Sequence, residues 1–494
     1  MSEVSQVGRV IVVGGGVAGL FAAMMLAGDG RAITILERDP APPDVGEGAE
    51  LDAAFEGWRR PGVGQLRHSH AFLARLINIV RRRHPALLDQ LKAAGCREVP
   101  LSELVPTTLK DRFAAEPGDA DMSILMSRRT TFELVARRYV AALPGVTFRP
   151  GVFVKRLCFA PAATPPAVTG VETESGEAIP ADVVVDAAGR RTLAPDWLAE
   201  AGVEVAETGE PAGILYYTRH WRLSPGQSRP PRTPFPGAGD LGYLKFGLFE
   251  ADNGWFSITL AAPESEVELR QALVKPEVFD AACEAIPGLA PWIEPERAKA
   301  QTKVFAMGEL RSKWRRMVAE GEPIALGLFL IGDSLIQSNP LYGRGTSFAA
   351  VEAEALARAL SAGRDAAGRA ILYDSLVEQA LRPFYDDMQE QDRAAIRRAG
   401  AERAGQTLTL RQQIMRSLLR DGAGLAVRDN PATFRAAMRA FHMIDPPRAW
   451  LREPRHIGAV LKTWARGKKR NAHLYPGRAG PDRAELLARL DLAA

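Results

Sequence analysis

Cysteine is scarce in this chain: Cys96, Cys158 and Cys283 are the only three in 494 residues, widely spaced and without a CxxC pair. That spacing argues against a disulfide framework or a cysteine metal site and fits single thiols in a reducing compartment. No run of about 18 uninterrupted apolar residues occurs, so no membrane-spanning helix is expected. The apolar stretch near the start has no basic flank and runs directly into glycines, unlike a secretory leader, so a cytoplasmic protein is expected. Neither sign of charge dominates, since 63 Lys and Arg against 59 Asp and Glu leave +4. No nucleic-acid partner is expected from so small an excess. The excess is unevenly placed: residues 391–494 carry about +12 and the remainder about −8. That imbalance allows a peripheral membrane or acidic-carrier contact, or solvated arginine-rich helix faces. The length suits two or three cores, as in a multidomain enzyme.

The stretch Arg9–Asp39, RVIVVGGGVAGLFAAMMLAGDGRAITILERD, organises the rest. Val10 to Val13 read as a strand buried on both faces, Val17 to Ala27 as a helix, and Ala32 to Leu36 as a second buried strand. Between the first two lie the glycines. Gly14 allows a tight turn, Gly16 lets backbone approach a pyrophosphate, and Gly19 lets the helix lie close on the strand. The N–H groups of Val17, Ala18 and Gly19 open the helix and face the phosphates with a partial positive charge. Glu37 ends the second strand, where a carboxylate can accept from an adenosine ribose; it disfavours NADP and leaves FAD or NAD.

The decision between those two comes from far downstream. Leu328 to Ile331 form another buried strand, followed by Gly332-Asp333-Ser334, then SNPLYGRG and a helix from about Thr346 to Ala362. Asp333 is suited to a ribityl hydroxyl, and the N–H groups near Gly343–Thr346 to the pyrimidine edge of a flavin. A nicotinamide needs none of this; FAD stretched between two sites needs both. Elsewhere, residues 39–64 open with DPAPPDVGEGAE, whose composition predicts a mobile loop, and run into the cationic RPGVGQLRHSH. Residues 211–262 are strand-rich and predict a mostly antiparallel sheet with one face toward a ligand. Tyr216, Tyr217, Trp221, Tyr243 and Phe246 on it either line an apolar pocket or fill its core. His68 and His70 lack a third ligand, so no metal is expected; His68 is a weak candidate for proton handling beside a flavin.

Gly14–Glu37, Asp186–Arg190 and Gly332–Gly345 together resemble, in order, the blocks of the p-hydroxybenzoate hydroxylase-fold FAD monooxygenases over roughly residues 8–390. RPGVGQLRHSH, DAAGR and GDSLIQSNPLYGRG look most like the bacterial polyketide epoxidases of polyether pathways and their relatives. The resemblance implies an α/β protein. Its Rossmann-like, glutathione-reductase-like FAD domain would be built from 8–104, 126–210 and 316–390. A mostly antiparallel substrate sheet would be inserted at 211–315, with a helical C-terminal region at 391–494. By the same resemblance Glu37 and Arg38 would hold the adenosine, and Arg129 (or Arg128, one residue away) the pyrophosphate. Asp333 would hold the ribityl region, the Pro340–Gly345 turn with Gly343 would face the isoalloxazine, and Gln65 and Arg67 would lie near the flavin. The implied activity is transfer of one oxygen atom from O2, through a flavin C4a-hydroperoxide, to an apolar, unsaturated small molecule by epoxidation or hydroxylation. FAD would be non-covalent, and reduced nicotinamide would supply electrons directly or through a partner flavin reductase. DAAGR departs from the Asp-Gly pair that aromatic hydroxylases tie to NADPH use, and the Trp-x-Trp-x-Ile-Pro motif of flavin halogenases is absent. A flavin dehydrogenase or reductase, and a non-redox cyclase using FAD as scaffold, are the alternatives on the same fold.

Overall fold

A computed structural model describes residues 7–45, 49–403 and 407–492. Its first half threads a parallel sheet through β1 (Arg9–Val13), β2 (Ala32–Glu37), β3 (Val146–Pro150) and β4 (Val183–Asp186). The chain then leaves to build β5 (Ile214–Leu223), β6 (Lys245–Glu250) and β7 (Trp255–Pro263), and returns with β8 (Leu328–Leu330). The order β8-β4-β1-β2-β3 is parallel throughout and puts β1 at the centre. Val10 to Val13 are buried on both faces, as a central parallel strand requires. The second sheet is antiparallel, with β7 between β6 and β5. The sheets expected from the sequence are therefore both present.

Seven helices matter below: α1 (Val17–Leu26), α2 (Glu50–Gly57), α3 (Arg129–Ala141), α4 (Gly345–Leu360), α5 (Ala366–Arg403), α6 (Leu410–Ser417) and α7 (Pro454–Arg470). α1 and α4 pack in one core with the parallel sheet. α5 runs unbroken across residue 390, so the chain has no structural break where the C-terminal region was expected to begin. Two of the later helices start at prolines, Pro431 and Pro454, whose missing N–H costs nothing at a first turn. One expectation fails: the loop predicted from residue 39 gives way to α2, whose Ala54 and Phe55 are buried. Glu50 and Asp52 in its first turn favour that helix despite the proline-rich approach. Residues 46–48 of that expected loop lie outside the described residues.

Candidate functional site: a groove across two glycine turns

The tightest glycine constraint lies between β1 and α1. A Cβ on Gly19 would meet the Gly14 carbonyl oxygen at 1.9 Å, which is how closely the helix lies on the turn. Gly14 has φ +105°, and a Cβ there would sit 2.5 Å from the Ala187 carbonyl. Gly16 differs, because nothing lies within 4 Å of where its Cβ would be. The space is open there, next to the start of α1, whose first helical bond runs from Leu20 N–H to Gly16 O at 2.9 Å. The N–H groups of Val17, Ala18 and Gly19 precede that bond and are left for another acceptor.

The downstream turn arrives at the same place. Gly332 has φ +65°, and a Cβ on it would come 2.6 Å from Ala18 Cβ. Two glycine turns more than three hundred residues apart in sequence thus meet side by side. Arg129, at the start of α3, acts on the downstream turn. Its Nε donates to Glu133 Oε1 at 2.5 Å, and its charge is felt at Asp333. Burial raises the Asp333 carboxyl above the usual range, while Arg129, Arg190 and Arg315 pull it back down. Arg128 points elsewhere. It donates to Asp252 at 2.7 Å and Asp52 at 2.8 Å and stacks over Trp255. Of the two neighbours only Arg129 acts on Asp333.

At the other end, Glu37 is buried and already engaged. It accepts from Gly15 N–H at 2.8 Å and Asp39 N–H at 2.9 Å, and pairs with Arg60 at 2.5 Å. Arg60 also pairs with Glu133. Sequence reasoning singled out neither Arg60 as the charge partner of Glu37 nor Glu133 as the second carboxylate on Arg60; a lone arginine 23 residues along carries no local signal. Arg38 is half-exposed beside Asp39. Arg67 is not free to reach into the groove: it donates to the carbonyls of Phe55, Glu56 and Trp58 and so holds the C-terminal end of α2. Gln65 is half-buried on the same loop, where its carbonyl accepts from His68 N–H.

That loop is pinned to the second sheet. His68 Nδ1 bonds Thr218 Oγ1 at 2.9 Å, and Ser69 Oγ bonds Ser257 and Thr259 at 2.7 Å each. Arg129 donates to His70 Nε2 at 3.2 Å, so the ring proton sits on Nδ1 and is given to the His68 carbonyl at 2.9 Å. Burial lowers His68 to about 4 and His70, with Arg129 adjacent, to about 3. Both are neutral near pH 7. Among the described residues no group of three or more His, Cys, Asp or Glu could hold a metal ion.

Of the two readings open for the sheet aromatics, core filling holds for four of the five. Tyr217, Trp221, Tyr243 and Phe246 are packed in the core on its far side, together with Phe279 and Leu486. Alternation along β5 turns Tyr216, Thr218 and His220 the other way. Tyr216 joins an apolar cluster with Ile214, Ala261 and Leu310. Its hydroxyl donates to Asn339 Oδ1 at 2.6 Å, and Asn339 Nδ2 donates to Asp392 Oδ1 at 2.9 Å. Tyr342 adds a second donor to Asp392 at 2.8 Å, and Arg344 bonds the Phe384 carbonyl and Asp387. The turn Pro340–Gly345, left-handed at Gly343, is therefore clamped between β5 and α5. Asp392 has no sequence motif to announce it. Asp186, in the middle block, is fully buried and turned inward, accepting from Ala188 N–H, Thr192 and Ser334.

No protein-family model matches the chain. Over 386 residues it is 28% identical to Protein Rv3254 of Mycobacterium tuberculosis, covering 72% of this chain and 74% of that one. Among solved structures it is similar to the flavin-dependent brominase Bmp2, with TM-score 0.56 and 15% identity over 94% of this chain and 100% of that one. It is also similar to PqsL, a probable FAD-dependent monooxygenase from Pseudomonas aeruginosa, with TM-score 0.53 and 17% identity over 80% and 96%. The Diels-Alderase PyrE3 of pyrroindomycin biosynthesis superposes with TM-score 0.53 and 18% identity over 88% of this chain and 80% of that one. In fold, the chain is of the p-hydroxybenzoate hydroxylase type that these flavin-dependent monooxygenases and halogenases share.

Proposed function

We propose that this chain binds FAD non-covalently along the groove and is a monooxygenase acting on an apolar, unsaturated small molecule. The observation that carries the reading is the meeting of Gly332 with Ala18 beside the open space at Gly16, with the Arg129 charge acting on Asp333 in the second turn. Free N–H groups, an open glycine and a guanidinium make a site for a diphosphate. Glu37 and Arg38 would hold the adenosine end, Asp333 the ribityl chain, and the Pro340–Gly345 turn the ring. When bound and reduced, the flavin would supply the chemistry that activates O2. The residues of this chain bind, orient and exclude water. Epoxidation leads and hydroxylation follows, on the resemblance of the loop and turn motifs to polyketide epoxidases. Electrons would come from reduced nicotinamide, directly or through a flavin reductase.

The test is turnover under isotopically labelled oxygen gas, with the label expected in the product. Unlabelled product formed with consumption of reductant would instead identify a dehydrogenase or reductase. The similarity to a Diels-Alderase favours one second reading, FAD as scaffold for a redox-neutral cyclisation. Activity that persists without oxygen and without reductant would establish it.

A further inference from the structure

Away from the groove, the C-terminal helices leave an apolar surface uncovered. α6 has no buried residue along its length. Leu410 is 73% exposed and Leu419, just beyond the helix, 57%. On α7, Leu461 is 48% and Trp464 37% exposed, in line with Ile457 at helical spacing. The two stripes adjoin, because the Trp464 indole N–H donates to Ser417 Oγ at 3.1 Å and Gly422 lies against Trp464 and Val460. Isolated exposed leucines need no explanation, but a contiguous group on neighbouring helices marks a contact surface.

Charge narrows the choice of partner. α7 carries six Lys and Arg and no Asp or Glu. Among the described residues Lys462, Lys468, Lys469 and Arg470 on α7, and Arg411 and Arg416 on α6, have no carboxylate partner. A second copy of the same face would bring like charges together. A nucleic acid would satisfy the cations but offer nothing to leucine and isoleucine. An anionic bilayer answers both: aliphatic side chains and the tryptophan enter the headgroup boundary while lysines reach out to the phosphates.

We infer that the face formed by α6 and α7 docks the protein on an anionic lipid surface. This does not depend on the flavin reading, since none of these residues lies in the groove. The experiment is flotation of the full chain with phosphatidylcholine vesicles and with equimolar phosphatidylglycerol–phosphatidylcholine vesicles, at low and high salt. The anionic vesicles should carry the protein and the neutral ones should not, with binding weakened by salt. Replacing Lys462, Lys468 and Lys469 together by Glu should cut binding by about tenfold or more. Leu461→Ser with Leu419→Ser should reduce it at unchanged charge. The lysines are exposed, so the charge variant tests the idea even if the leucine variant folds poorly. Equal flotation with neutral vesicles, no flotation at low salt, or unchanged binding by the charge variant would overturn the inference. So would a concentration-dependent dimer dissolved by Leu461→Ser, or capture by an acidic polypeptide without any vesicle binding.

Discussion

Replacing Asp392 by Asn should stabilise the protein above pH 6 and do nothing below pH 4. Asp392 is almost completely buried on α5; Oδ1 accepts from Asn339 and Tyr342, and Oδ2 has no partner among the described residues. Burial raises its carboxyl to about 6, Glu210 pushes in the same direction, and the two donors and Lys245 pull it down. The folded state therefore holds the proton more tightly than the unfolded chain does. The stability this gives is complete at low pH and is lost as pH rises from about 4 to about 6. A shift of roughly two pKa units corresponds to about 3 kcal/mol. Asn keeps the shape and both accepted hydrogen bonds without the charge, so its advantage should grow across that window and then level off. With an unfolding entropy of about 2.1 cal/mol/K per residue over the whole chain, 3 kcal/mol moves the melting midpoint by about 3 °C. Scanning calorimetry of the flavin-loaded wild type and variant at pH 4, 5, 6 and 8 reads this out. A difference that is constant with pH, or a variant less stable at pH 8, would show that the carboxylate is compensated in the fold and would refute the reasoning.

Gly16→Val should abolish flavin retention while leaving the fold intact, because its side chain would enter the open groove and meet no protein atom first; a yellow protein with normal flavin content would remove the pyrophosphate from this turn. Arg129→Met should weaken flavin binding and cost less stability than Arg128→Met, because the buried Glu133 keeps its pair with Arg60. Arg128→Met should instead cost about 3–5 kcal/mol by stranding the buried Asp252 carboxylate, as urea unfolding would show. Gly332→Ala places a Cβ 2.6 Å from Ala18 in a left-handed backbone and should cost about 1–3 kcal/mol as well as flavin affinity. With His68 near 4 and His70 near 3, turnover between pH 6 and 8 should show no inflection that His68→Asn removes.

Much of the groove was legible in the sequence because its constraints are local. Gly14 and Gly19 answer to backbone within a few residues or to a neighbouring strand while Gly16 borders open space, and β1, α1 and β2 follow from apolar runs and helical spacing. Asp333, Gly343 and Gly345 were legible for the same reason, as a strand end and a left-handed turn before a helix. What escaped was tertiary. Arg67 looked like a groove residue because it sits in a cationic loop, but α2 was not anticipated and its carbonyl ends claim the guanidinium. The choice between Arg128 and Arg129 needed Asp252, 124 residues away, which binds only the former. The aromatic residues of β5 and β6 were ambiguous because alternation gives two faces without saying which one a helix covers.

The contact between Ala18 and Gly332 also says why the two turns are coupled in energy. β8 is anchored from outside by the Tyr373 hydroxyl on the Leu330 carbonyl, and Gly332 N–H is held by the buried Glu352. Burial raises the Glu352 carboxyl well above its normal range. A cofactor spanning both turns would bind only when β1–α1 and β8–α4 are docked, and would stabilise the native state by mass action. Flavin should accordingly raise the melting temperature of the wild type and fail to raise that of Gly16→Val. Gly332→Ala should melt earlier even without flavin, which separates the packing of the turns from the binding they support.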